Sequence, residues 1–392
     1  MNDLYSHRIH NVKKSVIREI FKYLETPGMI SFSGGFPNPE SFPIDEVEKA
    51  ASKVLKEDGQ KVLQYSGTEG YLPLRQWICD RYFQKHGMVV EPKEVLIVNG
   101  SQQAFDLISK VFLNEGDHVL LEKPAYLGAI QSFQMYEPIF HTATLGATGI
   151  EMDEVKQAFK AFPIKLFYTV PNFQNPSGIT YGLKSRQDVA AFVKTQNVVF
   201  VEDDPYGELR FFGESHPPIK KFIGEDAILL GSFSKVIAPG LRLGWVVAKP
   251  EVMEKLVVAK QASDLHSNYL SQRLIYEYVT HNDLDAQIDK IKEMYRLRRE
   301  VMVKAMQTYF PKEVSFTQPE GGMFLWVTLP KGMDAMKLFD LAVKEKVVFV
   351  PGDPFFPESG GTNTMRLNYT NSDPKEIEEG IQRLAKAIQS MM

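Results

Sequence analysis

The chain of 392 residues contains a single cysteine, Cys79, so no disulfide can form within it. Its eight histidines are scattered, and none of them belongs to the HxxxH pattern that places two metal ligands on one helix face. The sequence therefore offers no recognisable zinc site, and we expect no metal cofactor.

The sequence also lacks long apolar runs and any excess of basic residues. Its first residues show no apolar segment followed by a small-residue cleavage site, and no later run is long enough to span a bilayer. A formal net charge of -4 leaves no basic surplus to neutralise a phosphate backbone. We therefore expect a cytoplasmic protein that binds neither nucleic acid nor membranes.

Short runs that are apolar on both faces alternate with helical patterns through much of the chain. Runs of this kind are typical of a mainly parallel sheet that is covered by helices. They occur at residues 95–100, 118–123, 165–170, 197–203, 227–232 and 244–249. This part of the chain is therefore predicted to be an α/β domain with helices on both faces of the sheet.

The remaining parts of the chain have different patterns. Apolar residues spaced by three and four over 284–309 predict one long helix. After it, the strand patterns GGMFLWVTL, KVVFVP and TMRLNYT are followed by a final helix with Asp373 as its N-cap and Pro374 in its first turn. We predict three parts: an N-terminal arm and loop (1–45), a large domain (46–285) and a small α+β domain (286–392).

The segment GSFSKVIAPGLRLGW (231–245) follows an apolar run and combines serines with a lysine and an arginine. Its hydroxyls and Arg242 suit a phosphate monoester, because charge-assisted hydrogen bonds bind phosphate well. Lys235 lies directly after the strand, where an amine can be held near neutral and form a Schiff base. A solvated lysine at a strand end is the alternative that this segment alone leaves open.

Two further segments place polar side chains after apolar runs. In VEDDPY (201–206), a carboxylate can pair with the protonated pyridine nitrogen of pyridoxal phosphate (PLP), although Asp203 and Asp204 could instead cap a helix or hold a metal. In PNFQNPSG (171–178), Asn175 could donate to a ring oxygen, although such a segment is usually a plain turn.

Three more segments each have a functional and a structural interpretation. In VNGSQQAFDLI, the N–H groups of Ser101 and Gln102 could bind a phosphate at a helix N-terminus, or Ser101 could be an ordinary N-cap. Tyr126 could stack on an aromatic ring or fill the core. Arg366, inside a strand pattern, could bind a substrate carboxylate or form a structural salt bridge.

These signals require one another, because a PLP enzyme needs all of them at one site. The cofactor needs a lysine, a phosphate-binding cup, an acid for its ring nitrogen and donors for its ring oxygen, and an amino-acid substrate needs an arginine for its carboxylate. Their joint presence predicts a PLP enzyme that acts on amino acids.

In order and spacing, the motifs SGGFPNP, NPSG, DDPY, SFSK and GLRLGW resemble those of class I/II aminotransferases of PLP fold type I, over nearly the whole chain. The resemblance implies that Lys235 is the Schiff-base lysine and proton shuttle and that Asp203 pairs with the pyridinium. It also implies that Asn175 and Tyr206 donate to the phenolic oxygen and that Tyr126 stacks on the ring. The implied phosphate cup consists of Ser101, Gln102, Ser232, Ser234 and Arg242.

The resemblance extends to assembly and substrate. Tyr65 would reach the phosphate of the neighbouring subunit, which implies a homodimer with shared active sites. The segments IREIFKYLETPGMISFSGGFPNPESFP and PEGGMFLW resemble the branch of 2-aminoadipate, kynurenine and broad aromatic or branched-chain aminotransferases. Arg18 then looks like a mobile-arm residue that can meet a distal substrate carboxylate, and Gly34 and Gly35 would line the loop at the site's mouth.

We therefore expect ping-pong transfer of an amino group between an α-amino acid and a 2-oxo acid such as 2-oxoglutarate. A carbon–sulfur β-lyase of the same fold is an alternative, because fold and cofactor do not fix the reaction. A non-catalytic regulatory module is another, since this branch includes aminotransferase-like domains of GntR-type regulators. No winged-helix domain precedes the fold in this sequence, so we expect no regulation by DNA binding.

Overall fold

The computed structural model of the protein describes residues 4–10, 20, 22–23 and 25–392, so Arg18 lies outside the described residues. Within this part of the chain, eight strands form the larger sheet. Their spatial order is Val95–Val98, Gly244–Val247, Ala227–Ser232, Val199–Asp203, Ile164–Thr169, His118–Lys123, Ile139–Gly146 and Gly149–Ile150.

The middle of this sheet is parallel and its margins are antiparallel. Pairing is parallel from Ala227–Ser232 across to Ile139–Gly146, and the outer pairs are antiparallel. Successive side chains of a strand point to opposite faces, and Phe167 and Tyr168 accordingly belong to separate buried apolar clusters. The predicted α/β fold, with a mainly parallel sheet covered on both faces, is confirmed.

Helices connect and cover these strands. They span His7–His10, Ile44–Val62, Leu72–His86, Gly100–Phe112, Leu127–Gln134, Met152–Ala161, Leu183–Val193, Ile219–Ile223, Pro250–Ser263 and Tyr269–His281. Short 3-10 helices lie at Pro39–Ser41, Pro92–Glu94, Phe233–Lys235, Pro239–Leu241 and Asp353–Phe355. In the described part of the chain, no helix is both long and apolar enough to cross a membrane.

The long helix expected at 284–309 is present as Leu284–Tyr309. The helices Ala335–Lys344 and Pro374–Gln389 follow it. The last of these begins as predicted, because the Asp373 carboxylate accepts hydrogen bonds from the first backbone N–H groups of the helix. An antiparallel sheet completes this region, in the order Ser315–Phe316, Phe324–Thr328, Thr364–Asn368 and Val350–Pro351.

Several strands differ from the sequence-based expectation, and the two-residue strands Ile30–Ser31, Gly149–Ile150 and Ser315–Phe316 were not predicted. Ile139–Gly146 was not predicted, because its residues are mostly only half-buried and show no clear alternation. The segment KVVFVP was predicted as one strand but forms two. Val347–Val348 pairs with Ile30–Ser31 in a separate two-stranded sheet, and Val350–Pro351 joins the antiparallel sheet. Which partner a short strand finds depends on distant parts of the chain.

Candidate active site

A cavity of about 420 Å³ lies beyond the carboxyl ends of the parallel strands, where ligands bind in open α/β sheets. Most of the residues singled out from the sequence line it. They are Gly35, Ser101, Gln102, Tyr126, Asn175, Asp203, Tyr206, Ser232, Ser234, Lys235, Arg242 and Arg366. The fold thus brings together residues that lie more than 300 positions apart in the chain.

Lys235 ends a 3-10 turn that directly follows the strand Ala227–Ser232. The turn is held by Ser232, whose hydroxyl accepts a hydrogen bond from the Ser234 N–H at 3.1 Å. Lys235 Nζ donates to the Gly35 carbonyl at 3.3 Å. Burial, together with the positive charges of two nearby arginines, lowers the pKa of Lys235 to about 8. A substantial neutral fraction therefore exists near neutral pH, which nucleophilic attack requires.

Asp203 ends the neighbouring strand and is buried. Its Oδ2 atom accepts a hydrogen bond from the Tyr168 hydroxyl at 2.9 Å. Its Oδ1 atom is also buried but makes no hydrogen bond to any residue that the structure describes. Burial raises the pKa of Asp203 to about 7, and the Tyr168 hydrogen bond opposes that rise. Since unpaired buried acceptors are rare, Oδ1 is placed to accept a bond from a ligand.

Asp204 does not share this environment. It lines a second cavity, together with His86, and its Oδ1 atom accepts a hydrogen bond from Asn172 Nδ2 at 2.8 Å. Asp203 and Asp204 therefore face different spaces, and the alternative in which both hold one metal ion is wrong.

The phosphate cup predicted from the sequence has a geometric basis. Ser101 and Gln102 lie in the first turn of the helix Gly100–Phe112, whose N-cap is Asn99, so Ser101 is not an ordinary N-cap. Arg242 Nη2 donates to the Asn99 carbonyl at 3.3 Å. A guanidinium beside the positive end of a helix suits a phosphate dianion.

Gly100 makes this approach possible, and sequence reasoning missed it. A Cβ atom at position 100 would lie 2.8 Å from Arg242 Nη2, and the residue has a φ of +72°. Both features favour glycine. The NGS sequence at the end of an apolar run was the signal that could have found it.

Tyr126 forms one wall of the cavity. A Cβ atom at Gly128 would lie 2.6 Å from Tyr126 Cζ, so the ring lies directly against the backbone of that glycine. Phe105 meets the Tyr126 ring edge-on, with 6.1 Å between centroids. Tyr126 therefore presents its ring to the cavity instead of serving only as core.

Arg366 is buried in the strand Thr364–Asn368. Its Nη1 atom donates to Asn175 Oδ1 at 2.9 Å, and Nη2 donates to the Ser33 carbonyl at 2.8 Å. Its guanidinium also lies 4.4 Å from the centre of the Phe324 ring. Burial lowers the pKa of Arg366 to about 10. Among the described residues Arg366 has no carboxylate partner, so none of them forms the structural salt bridge that was the alternative.

Asn175 is oriented by this contact. Because its amide oxygen accepts from Arg366, its Nδ2 group is the donor that faces the hydroxyl of Tyr206, which also lines the cavity.

Two of the predicted residues that the structure describes, Tyr65 and Gly34, do not line the cavity. Tyr65 is 78% exposed and contacts His266 edge-on at 5.8 Å between ring centroids. Gly34 lies beside the cavity-lining Gly35, and a Cβ atom there would lie 3.2 Å from Asn371 Nδ2. Arg18 falls outside the described residues.

Other lining residues were missed from the sequence, among them Phe36, Gln131 and Phe355. Phe355 follows the strand Val350–Pro351, so a search beyond each strand end could have found it. Gln131 lies inside a helix and had no such signal.

The side chains that line this cavity fit the chemical groups of PLP. The Asp203 Oδ1 atom, which no described residue hydrogen-bonds, suits a protonated ring nitrogen, and Lys235 suits an aldehyde. Because Gly100 has no Cβ atom, the Arg242 guanidinium lies close to the N-terminus of the helix, where the two form a positive site for a phosphate.

The family model for aminotransferase class I and II matches residues 28–384. The chain belongs to this family. The aminotransferase is 44% identical to the 2-aminoadipate transaminase of Thermus thermophilus, over 97% of this chain and 95% of that protein. It is 40% identical to aromatic-amino-acid aminotransferase 1 of Thermococcus litoralis, over 99% of this chain and 94% of that protein.

A comparison with solved structures also finds an aminotransferase. The α-aminoadipate aminotransferase LysN from Thermus thermophilus, complexed with N-(5'-phosphopyridoxyl)-L-leucine, matches with a TM-score of 0.93 and 41% identity. The match covers 100% of this chain and 98% of that one. This aminotransferase therefore has fold type I and is a PLP-dependent enzyme that transfers amino groups of amino acids.

Proposed function

We propose that this aminotransferase moves the amino group of 2-aminoadipate, aromatic or branched-chain α-amino acids to a 2-oxo acid such as 2-oxoglutarate, by a ping-pong mechanism. One observation carries the proposal: Lys235, Asp203 and Arg366 all line one cavity, and in the described part of the chain the Asp203 Oδ1 atom has no hydrogen-bond partner and Arg366 no carboxylate partner. The names of relatives at 40–44% identity support the substrate class.

The cofactor, when bound, supplies an aromatic ring that accepts the electrons released when the substrate loses its α-proton. Asp203 keeps a proton on the ring nitrogen through its Oδ1 atom. The neutral Nζ atom of Lys235 would take the α-proton of the substrate and give the proton back, acting as general base and then as general acid. Asn175 and Tyr206 donate hydrogen bonds to the ring oxygen, and Tyr126 stacks on the ring.

The remaining residues bind and orient the substrate and the cofactor. Arg366 binds the substrate α-carboxylate through its planar guanidinium. The phosphate is held by Ser101, Gln102, Ser232, Ser234 and Arg242. Gly34 and Gly35 form the loop at the mouth of the site, and Arg18 meets a distal carboxylate when the substrate has one.

We also propose that the enzyme is a cytoplasmic homodimer in which Tyr65 completes the partner's phosphate site. Its exposure and its position outside the cavity of its own chain support this role. The net charge of -4 supports the absence of nucleic-acid binding.

The proposed domains are 1–45, 46–285 and 286–392. Pairing of Ile30–Ser31 with Val347–Val348 supports packing of the N-terminal part with the small domain. The start of the helix Leu284–Tyr309 supports the second boundary.

The test is a panel of amino donors, first without and then with 2-oxoglutarate, followed by the absorption spectrum of the bound cofactor. We expect each proposed donor to convert the cofactor in a half-reaction and the 2-oxo acid to reverse it. Lys235→Ala should lower the rate by about 10²- to 10⁴-fold, because the general acid/base is lost.

Lys249→Ala is the matched control, since Lys249 follows the next strand, pairs with Asp226 and does not line the cavity. It should transfer amino groups at the native rate. Release of pyruvate and ammonia without any acceptor would instead show a lyase. A native rate in Lys235→Ala would refute the proposed mechanism.

A further inference from the structure

Tyr168 is a buried residue that the mechanism above does not use. It lies in the strand Ile164–Thr169 and has no exposed surface. Its ring meets Phe105 and Phe133 edge-on, with centroids 5.6 and 5.7 Å apart. Because these rings enclose it, the direction of the Tyr168 hydroxyl is fixed by packing.

The hydroxyl reaches one particular oxygen of Asp203. Tyr168 pairs with Val201 in the parallel sheet, so Asp203, two residues further on, projects from the same face. The Tyr168 hydroxyl donates to Asp203 Oδ2 at 2.9 Å, whereas Oδ1 has no hydrogen-bond partner among the described residues. Holding one oxygen prevents the carboxylate from rotating, so the other stays directed at the cavity.

The same hydrogen bond affects the charge of Asp203. Burial raises the pKa of Asp203 to about 7, and hydrogen bonds from Tyr168 and Ser101 together with the charge of Lys235 oppose that rise. Removing the Tyr168 hydrogen bond would therefore raise the pKa of Asp203 further and favour the protonated carboxyl group near neutral pH. Burial also raises the pKa of Tyr168 well above its ordinary value, so Tyr168 remains a donor throughout the working range. The other titratable groups that act on Asp203 are Asp204, Lys235, Glu122, Tyr126 and Tyr206.

We propose that Tyr168 is a positioning residue that holds Asp203 Oδ1 toward the ring nitrogen of the cofactor and keeps the Asp203 carboxylate ionised. This inference rests on the proposed function, because it takes Asp203 as the partner of the ring. Tyr168 itself does not line the cavity, so it acts only through Asp203.

Tyr168→Phe removes the hydroxyl and retains the ring. Tyr181→Phe is a matched control, because Tyr181 is also fully buried and donates to a buried carboxylate, Glu122, at 2.7 Å, but does not line the cavity. Melting temperatures of both apoproteins show whether each variant folds. We expect similar, modest losses of stability in the two variants.

The decisive readout is the nitrogen-15 NMR shift of PLP labelled at its ring nitrogen. Wild type and Tyr181→Phe should show a protonated ring nitrogen near neutral pH, and Tyr168→Phe should move toward the unprotonated value. In the pH profile of kcat/KM, the acid limb of Tyr168→Phe should shift upward by about one pH unit, with a roughly tenfold loss at neutral pH, since a hydrogen bond to a charged group is lost.

An unchanged nitrogen-15 shift and an unchanged acid limb in a folded Tyr168→Phe would overturn the role of Tyr168 alone. A wild-type protein that transfers no amino group would overturn the proposed function, whatever Tyr168→Phe shows. An equal change in Tyr181→Phe would show a general effect of burial and would also overturn the inference.

Discussion

Burial shifts the charge of the individual residues at this site. The pKa of Lys235 falls to about 8, that of Arg366 falls to about 10 and that of Asp203 rises to about 7. In each case the low polarity of the surroundings favours the neutral form. The lysine thereby gains nucleophilic character, whereas Asp203 requires hydrogen-bond donors or positive charges nearby to remain ionised.

Loading of the apoprotein with PLP should therefore depend on pH through Lys235. Below its pKa of about 8 the amine is mostly protonated, so the rate of covalent attachment should rise about tenfold per pH unit and level off above that value. Stopped-flow absorbance from about pH 6 to about pH 10 measures this rate. A rate that is flat below the pKa, or that falls as pH rises, would contradict the lowered value.

A buried lysine joins secondary-structure elements next to the phosphate cup. Lys260, in the helix Pro250–Ser263, is fully buried, and its Nζ atom donates to Gln103 at 2.8 Å, Asp264 at 2.9 Å and Ser267 at 3.0 Å. Asp264 in turn accepts from Asn99 Nδ2 at 2.6 Å. The network ties the turn before the cup to the loop that carries His266, next to Tyr65.

Lys260→Met should lower the free energy of unfolding by about 3 kcal/mol, because it leaves the partners of a largely buried ion pair uncompensated. Lys184→Met is the control. Lys184 pairs with Asp188 at the same i,i+4 spacing, but its side chain is 80% exposed. Its loss should cost less than about 0.5 kcal/mol. Urea unfolding of both variants measures the difference, and equal losses would show that the buried network adds no stability.

At the scale of the whole molecule, one cavity is lined by residues from all three proposed domains. Gly35 comes from the N-terminal part, Lys235 from the large sheet and Arg366 from the antiparallel sheet. Tyr65 is the exception, since it lies exposed and apart. A homodimer in which Tyr65 serves the partner's site would explain its position.

Mixing two variants tests this arrangement. In a hybrid of Lys235→Ala and Tyr65→Ala protomers, one shared site carries both changes and the other carries neither. Random reassociation of equal amounts should therefore restore about one quarter of the wild-type activity, although each variant alone is impaired. If Tyr65 acts in its own protomer, no hybrid site is intact and mixing restores nothing. Lys249→Ala mixed with wild type controls for losses during reassociation.

Many of the strands and several of the candidate site residues could be predicted from the sequence, because the sequence patterns that mark them are local. Apolar runs located the strands Val199–Asp203 and Ala227–Ser232, and polar residues after them pointed to Asp203 and Lys235. The capping of the last helix by Asp373 was likewise predictable, since it involves only the next few residues.

Sequence alone determined which residue types follow each strand, because strand and helix periods and turn chemistry act over a few neighbouring positions. Only the tertiary structure decided that Tyr168 holds one oxygen of Asp203 and that Arg366 lies against Asn175. Those contacts join residues 35 and 191 positions apart. They depend on sheet pairing and side-chain packing, which no local pattern specifies.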